Sequence, residues 1–96
     1  MAKYDLSPQA ERSLIQISDY TLKNFGERQR KKYLTALRKQ MRAAAANPKK
    51  GRQRDEIKQG YYSVPAEKHH IYYRISDAHI EIIDVLHQSM EPSLHL

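Results

Sequence analysis

Apolar residues recur along this chain with two different periods, and the change of period divides it in two. Tyr4 and Leu6 alternate with polar neighbours as a short strand does. Ser7-Pro8 then supplies a helix start, with serine as the cap and proline at the first helical position. Ala10, Leu14, Ile17 and Thr21 follow at helical spacing, with Tyr20 and Phe25 widening the apolar stripe, until Asn24-Phe25-Gly26 terminates it. A second helix carries Tyr33, Leu34, Leu37, Met41, Ala44 and Ala45 on its buried side and crowds Arg28, Lys31, Lys32, Arg38, Lys39 and Arg42 onto the rest. It ends at Asn47-Pro48, because proline disfavours helical geometry in the residue before it. So short a connection predicts an antiparallel helical hairpin whose joint apolar face needs a cover.

Beyond the hairpin the period falls to two. Lys49 to Gly60 reads as a basic loop, and Tyr61 to Val64, Lys68 to Ile75 and His79 to Leu86 read as strands separated by short polar turns. Such a meander implies antiparallel pairing. Taking Ser76-Asp77-Ala78-His79 as the last turn sets Ile75 opposite Ile80, Arg74 opposite Glu81 and His87 opposite Lys68. One face then holds Ile71, Tyr73, Ile75, Ile80, Ile82 and Leu86 and meets the helices. The other holds His70, Tyr72, Arg74, Glu81, Ile83 and Val85, and this half-apolar surface is either covered by the C-terminal tail or open to a partner. The expected fold class is α+β, an N-terminal helical hairpin packed on a small twisted antiparallel β-sheet, as one domain over residues 1–96. Its core should include Leu14, Ile17, Leu37, Met41, Ile71, Tyr73, Ile80 and Ile82.

At 96 residues the chain can build one two-layered core and no second domain. The absence of cysteine removes disulfides and thiolate metal sites and fits a reducing cytosol. No apolar run approaches a membrane span, and the N-terminus lacks the hydrophobic region of a signal peptide, so a cytoplasmic location without membrane association is expected. The net charge of +6 is unevenly spread: between Lys23 and Lys58 lie thirteen of the seventeen Lys/Arg and three of the eleven acids. A field of that kind attracts an acidic protein partner or a phosphate backbone, although a solvated helix surface is also commonly lysine-rich.

Few residues could carry chemistry. His69 and His70 are adjacent on a strand and point to opposite faces, so they cannot chelate one ion together, and with no completing Cys or carboxylate cluster no metal or cofactor is expected. No serine has a Gly-x-Ser-x-Gly context and no glycine loop cradles phosphate. Arg74 and His87 are the candidates on the last two strands for phosphate binding and proton transfer, with Arg52, Arg54 and Lys58 able to approach from the loop. Arg74 opposite Glu81 is explained more simply by a cross-strand ion pair. Tyr62 and Tyr72 are placed together on the outer face, where an aromatic ring suits a protein interface better than base stacking.

The order of short motifs carries more than any one of them. Tyr4-Asp5-Leu6-Ser7-Pro8, Asp19-Tyr20-Thr21, Phe25-Gly26, Asn47-Pro48-Lys49-Lys50-Gly51-Arg52, Tyr62-Ser63-Val64, His70-Ile71-Tyr72-Tyr73-Arg74 and Leu86-His87-Gln88-Ser89-Met90-Glu91-Pro92 together resemble a ParE toxin of the RelE/ParE superfamily over nearly the whole chain. That resemblance implies the toxin of a type II toxin-antitoxin system, a non-catalytic inhibitor of DNA gyrase that blocks replication and is neutralised by a ParD-like antitoxin. It also implies that the toxin-antitoxin complex binds operator DNA through the antitoxin. Arg38, Arg42, Arg52, Arg54, Tyr62 and Tyr72 are the expected partner-binding residues. The alternative is a RelE-like ribosome-dependent mRNA interferase using Arg74 and His87. Gln88, standing where that branch usually offers a proton carrier, favours the gyrase inhibitor.

Overall fold

The computed structural model describes residues 3–96; Met1 and Ala2, which open the expected domain, lie outside the described residues. Strand β1 (Tyr4–Leu6) leads into helix α1 (Pro8–Phe25) and helix α2 (Glu27–Ala46). After a 3-10 turn at Pro48–Lys50 come β2 (Arg52–Gln53), β3 (Tyr61–Ala66), β4 (His69–Ser76) and β5 (His79–His87), and a second 3-10 turn spans Pro92–Leu94. Ser7 caps α1 by accepting from the Ala10 amide at 3.0 Å, and its hydroxyl donates to the Ile83 carbonyl at 2.7 Å. One residue thus starts the helix and ties it to the sheet. Gly26 alone joins the two helices, at φ 89° and ψ 174°, a conformation in which any Cβ would be strained.

The five strands form one sheet in the order β1-β5-β4-β3-β2. Three of the four pairings are antiparallel, but β1 runs parallel to β5, matching Tyr4 with Ile80 and Leu6 with Ile82. The sheet is therefore mixed rather than purely antiparallel. Hydrophobic alternation marks Tyr4 to Leu6 as a strand without saying which neighbour it joins, or in which direction. The two hairpin loops have two residues each, and their first residues, Glu67 at φ 56° and Asp77 at φ 50°, take the left-handed conformation. The basic loop also contains β2, too short for a periodic signal.

The helical hairpin covers one face of the sheet. Leu37, Met41, Ile71, Tyr73, Ile80 and Ile82 have no exposed surface, and Ala10, Ile17, Ala44, Ala45, Ala66 and Val85 complete the cluster, with Leu14 packed at its margin. Tyr73 crosses the core to donate to the Pro48 carbonyl at 2.6 Å. Gly51 makes room for that ring, since a Cβ there would run into Tyr73 Oη and lie 3.3 Å from the Ser63 carbonyl. Tyr20 and Phe25, expected in the buried stripe of α1, are instead 62% and 65% exposed.

The register places Ile75 opposite Ile80 and Arg74 opposite Glu81, as the turn position predicts, but a β-bulge follows. Tyr73 faces Ile82 and Tyr72 faces Asp84, so Ile83 has no partner on β4. Beyond the bulge every side chain of β5 changes face. Val85 therefore lies in the core with the helices and Leu86 pairs with His70, the reverse of the expected arrangement, and His87 stands opposite His69 instead of Lys68. Asp84 anchors the bulge from the helix side. It is 1% exposed and accepts from Ser13 Oγ at 2.5 Å, Gln9 Nε2 at 2.8 Å and the Val85 amide at 2.8 Å.

Candidate functional site

Where the C-terminal half of α1, the first turns of α2 and the far ends of β4 and β5 meet, the two layers leave an open groove of about 510 Å³. Buried Ile17, Thr21 and Val85 lie beneath it, while Tyr20 and Phe25 stand at its rim with ring centroids 6.4 Å apart in an edge-on arrangement. Met90, 37% exposed, lines it from the segment after β5. Exposed large apolar side chains gathered at one concavity leave water in contact with surface that a partner would cover.

One end of this groove is polar. Tyr33 reaches from α2 to the sheet, where its hydroxyl accepts from the Lys68 amide at 3.2 Å and meets His69 Nδ1 at 2.5 Å. His69 and His87 are cross-strand partners with ring centroids 5.2 Å apart and rings nearly perpendicular. Burial, reinforced by His87 and His70, pushes the His69 imidazole down to about 4, so it is neutral at ordinary pH. Burial likewise raises the Tyr33 phenol. His87 Nδ1 accepts from the Ser89 amide at 3.1 Å and lies 2.7 Å from Ser89 Oγ. Sequence reasoning missed this pair because an unbulged register sets His87 against Lys68.

The other candidate residues are dispersed. Arg74 pairs with Glu81 at 2.7 Å near the β4–β5 turn. His87 pairs five positions along β4, at His69, and on the opposite face, so about 17 Å of strand and the sheet itself separate the two. Arg38 and Arg42 are exposed on α2, and Arg52 is exposed on the edge strand β2. Arg54 is not free: its side chain is 14% exposed, bonded to Glu56 at 2.7 Å and to Ser63 Oγ at 3.2 Å, and its guanidinium lies 5.6 Å from the centre of the Tyr72 ring. Tyr72, only 2% exposed, is therefore packed beneath Arg54 and offers no open ring. Tyr62 lies on the helix face, stacked 5.6 Å from Tyr73, and it is Tyr61 that shares the outer face with Tyr72, beneath Lys58. The segment from Arg54 to Lys58, rather than the C-terminal tail, covers this part of the outer face. Among the described residues no three His, Cys, Asp or Glu side chains come together as a metal site would require.

A helical hairpin laid on one face of a small mixed sheet is a fold shared with solved chains from bacterial toxin-antitoxin systems. A solved chain of the chromosomal ParDE toxin-antitoxin system from P. aeruginosa superposes with a TM-score of 0.77 at 17% identity, covering 91% of this chain and 96% of that one. Residues 4–92 match the family model described as the ParE toxin of the type II toxin-antitoxin system parDE. Toxin ParE1 of Mycobacterium tuberculosis is 38% identical over 96 residues, covering 99% of this chain and 98% of the relative. Toxin ParE1 of Caulobacter vibrioides is 32% identical over 96 residues, covering 100% and 99%. The chain belongs to the ParE toxin family.

Proposed function

We propose that this chain inhibits DNA gyrase by binding, so blocking replication, and that a ParD-like antitoxin neutralises it by seating an acidic, partly apolar segment in the groove. The observation that carries this reading is the combination of an open apolar groove at the seam of the two layers with the separation of Arg74 and His87, the candidate phosphate holder and proton carrier, onto opposite faces of the sheet. Arg74 is engaged by Glu81, while His87 is turned to the other face of the sheet. The basic surface of α2, with Arg38 and Arg42 exposed, supplies the long-range attraction that draws an acidic chain in. Membership of the ParE family supports the gyrase target, and the ParDE likeness supports the antitoxin class. In this reading the complex reaches operator DNA through the antitoxin, and the toxin works in the cytoplasm without cofactor or metal.

The test is gyrase supercoiling of relaxed plasmid in the presence of the purified chain. Inhibition that is relieved by one equivalent of antitoxin is expected; undiminished supercoiling at a large excess of folded protein would remove gyrase as the target.

A further inference from the structure

The polar end of the groove has a defined hydrogen-bond polarity. The Ser89 amide can only donate, so His87 Nδ1 is an acceptor and the ring proton of the neutral imidazole sits on Nε2. Tyr33 Oη already accepts from the Lys68 amide, and among the described residues its own proton has no acceptor other than His69 Nδ1. Where Tyr33 donates that proton to Nδ1, the His69 ring proton sits on Nε2 as well. Neither Nε2 has a partner among the described residues, and no buried side-chain nitrogen or oxygen lacks one, so both N–H groups remain open to solvent. Lys68 lines the same end, and among the described residues no Asp or Glu lines any part of the groove. The site is thus donor-rich and acid-free, set against apolar walls that strengthen any hydrogen bond formed there.

We propose that His69, His87 and Lys68 form a carboxylate-reading subsite, which captures one Asp or Glu side chain at the end of the apolar stripe of the antitoxin segment seated in the groove. The occupant is a peptide and not a nucleic-acid backbone, because the apolar walls include Ile17, Tyr20, Phe25, Val85 and Met90 and, among the described residues, Lys68 is the one Lys or Arg lining the groove. The bulge at Ile83 creates the subsite, since only the shifted register brings His87 beside His69. The inference rests on the groove being the antitoxin's docking site.

The experiment is a double-mutant cycle on the complex with the antitoxin that neutralises this chain, with hydrogen exchange recorded in parallel. Each acid of the antitoxin's toxin-binding segment is changed to its amide and combined in turn with His87→Gln and Lys68→Ala. One acid should weaken binding at least tenfold when removed, and once it is gone the toxin substitutions should cost little more. Lys68→Ala alters an exposed side chain and keeps the test sound if His87→Gln fails to fold. Slowed exchange along α1 and the end of β5 with no coupled acid overturns the subsite and leaves the docking reading standing. No slowing at the groove overturns both, and so does displacement of the antitoxin by single-stranded DNA through the same residues.

Discussion

Asp84 is the residue whose removal should most damage the fold, and its cost can be worked from its contacts. Its side chain is buried and accepts three hydrogen bonds, two of them from α1, through Ser13 and Gln9, and one from the Val85 amide within the bulge. Hydrogen bonds to a carboxylate contribute roughly 1.5–3 kcal/mol each, against the desolvation of the group itself. Asp84→Ala strands the Val85 amide and the Ser13 hydroxyl, frees exposed Gln9 to bond water and opens a small void, so a loss of about 3–4 kcal/mol is expected. In a domain of this size that corresponds to a fall in Tm of roughly 12–30 °C. Asp84→Asn keeps the volume and one good acceptor, and Gln9 can turn its amide to meet the new NH2, so it should cost about 1 kcal/mol. Urea unfolding followed by circular dichroism measures both, and a cycle with Ser13→Ala should return a coupling of about 1.5 kcal/mol or more. A loss below about half a kcal/mol for Asp84→Ala would refute the claim that this carboxylate pins α1 to the sheet.

Other substitutions probe separate parts of the account. Leu37→Ala, at a fully buried position, should cost roughly 2–5 kcal/mol in the same unfolding assay. Gly51→Ala should be destabilising although its backbone is ordinary, because the new methyl group displaces Tyr73 from the Pro48 carbonyl; an unchanged urea midpoint would show that the ring yields freely. His69 binds its proton less readily folded than unfolded, so the stability of the neutral ring is complete above about pH 6.5 and is lost as pH falls toward about 4. Screening of the half-exposed ring limits that loss to about 1–2 kcal/mol, and His69→Gln should flatten the pH dependence of the urea midpoint across that window. Arg38→Glu with Arg42→Glu should slow antitoxin association and flatten its salt dependence in stopped-flow mixing, whereas unchanged rates would take the α2 surface out of the encounter.

Most of the fold is legible in the residues because local signals agree with the global packing. Ser7-Pro8, Gly26 and Asn47-Pro48 bound the two helices to within a residue, and the Ser76–His79 turn fixes the Arg74–Glu81 register. What escapes is non-local. Nothing in a period-two pattern announces that Ile83 is skipped, since the determinant is Asp84 bonding to residues of α1 more than seventy positions earlier. That one skipped residue exchanges Val85 with Leu86 and pairs His87 with His69, so the polar end of the groove could not be read from the strand alone. Tyr62 and Tyr61 were interchanged for a related reason: adjacent aromatics give no parity until the partner strand is set. Tyr20 and Phe25 carried a legible hint, as aromatic residues at the end of an amphipathic helix need not all fit its buried arc.

The central claim is inhibition by binding rather than by chemistry, and it meets its most direct test when gyrase–DNA cleavage complexes are quantified beside translation-coupled mRNA cleavage, for the wild type and for His87→Ala. The variant should first be shown by circular dichroism and urea unfolding to fold. Both proteins are expected to accumulate cleaved gyrase–DNA complexes to within a few-fold of each other and to leave mRNA on ribosomes intact. Ribosome-dependent mRNA cleavage by the wild type that drops a hundredfold or more in the folded variant would contradict the account, because losses of that size mark a removed proton-transfer step.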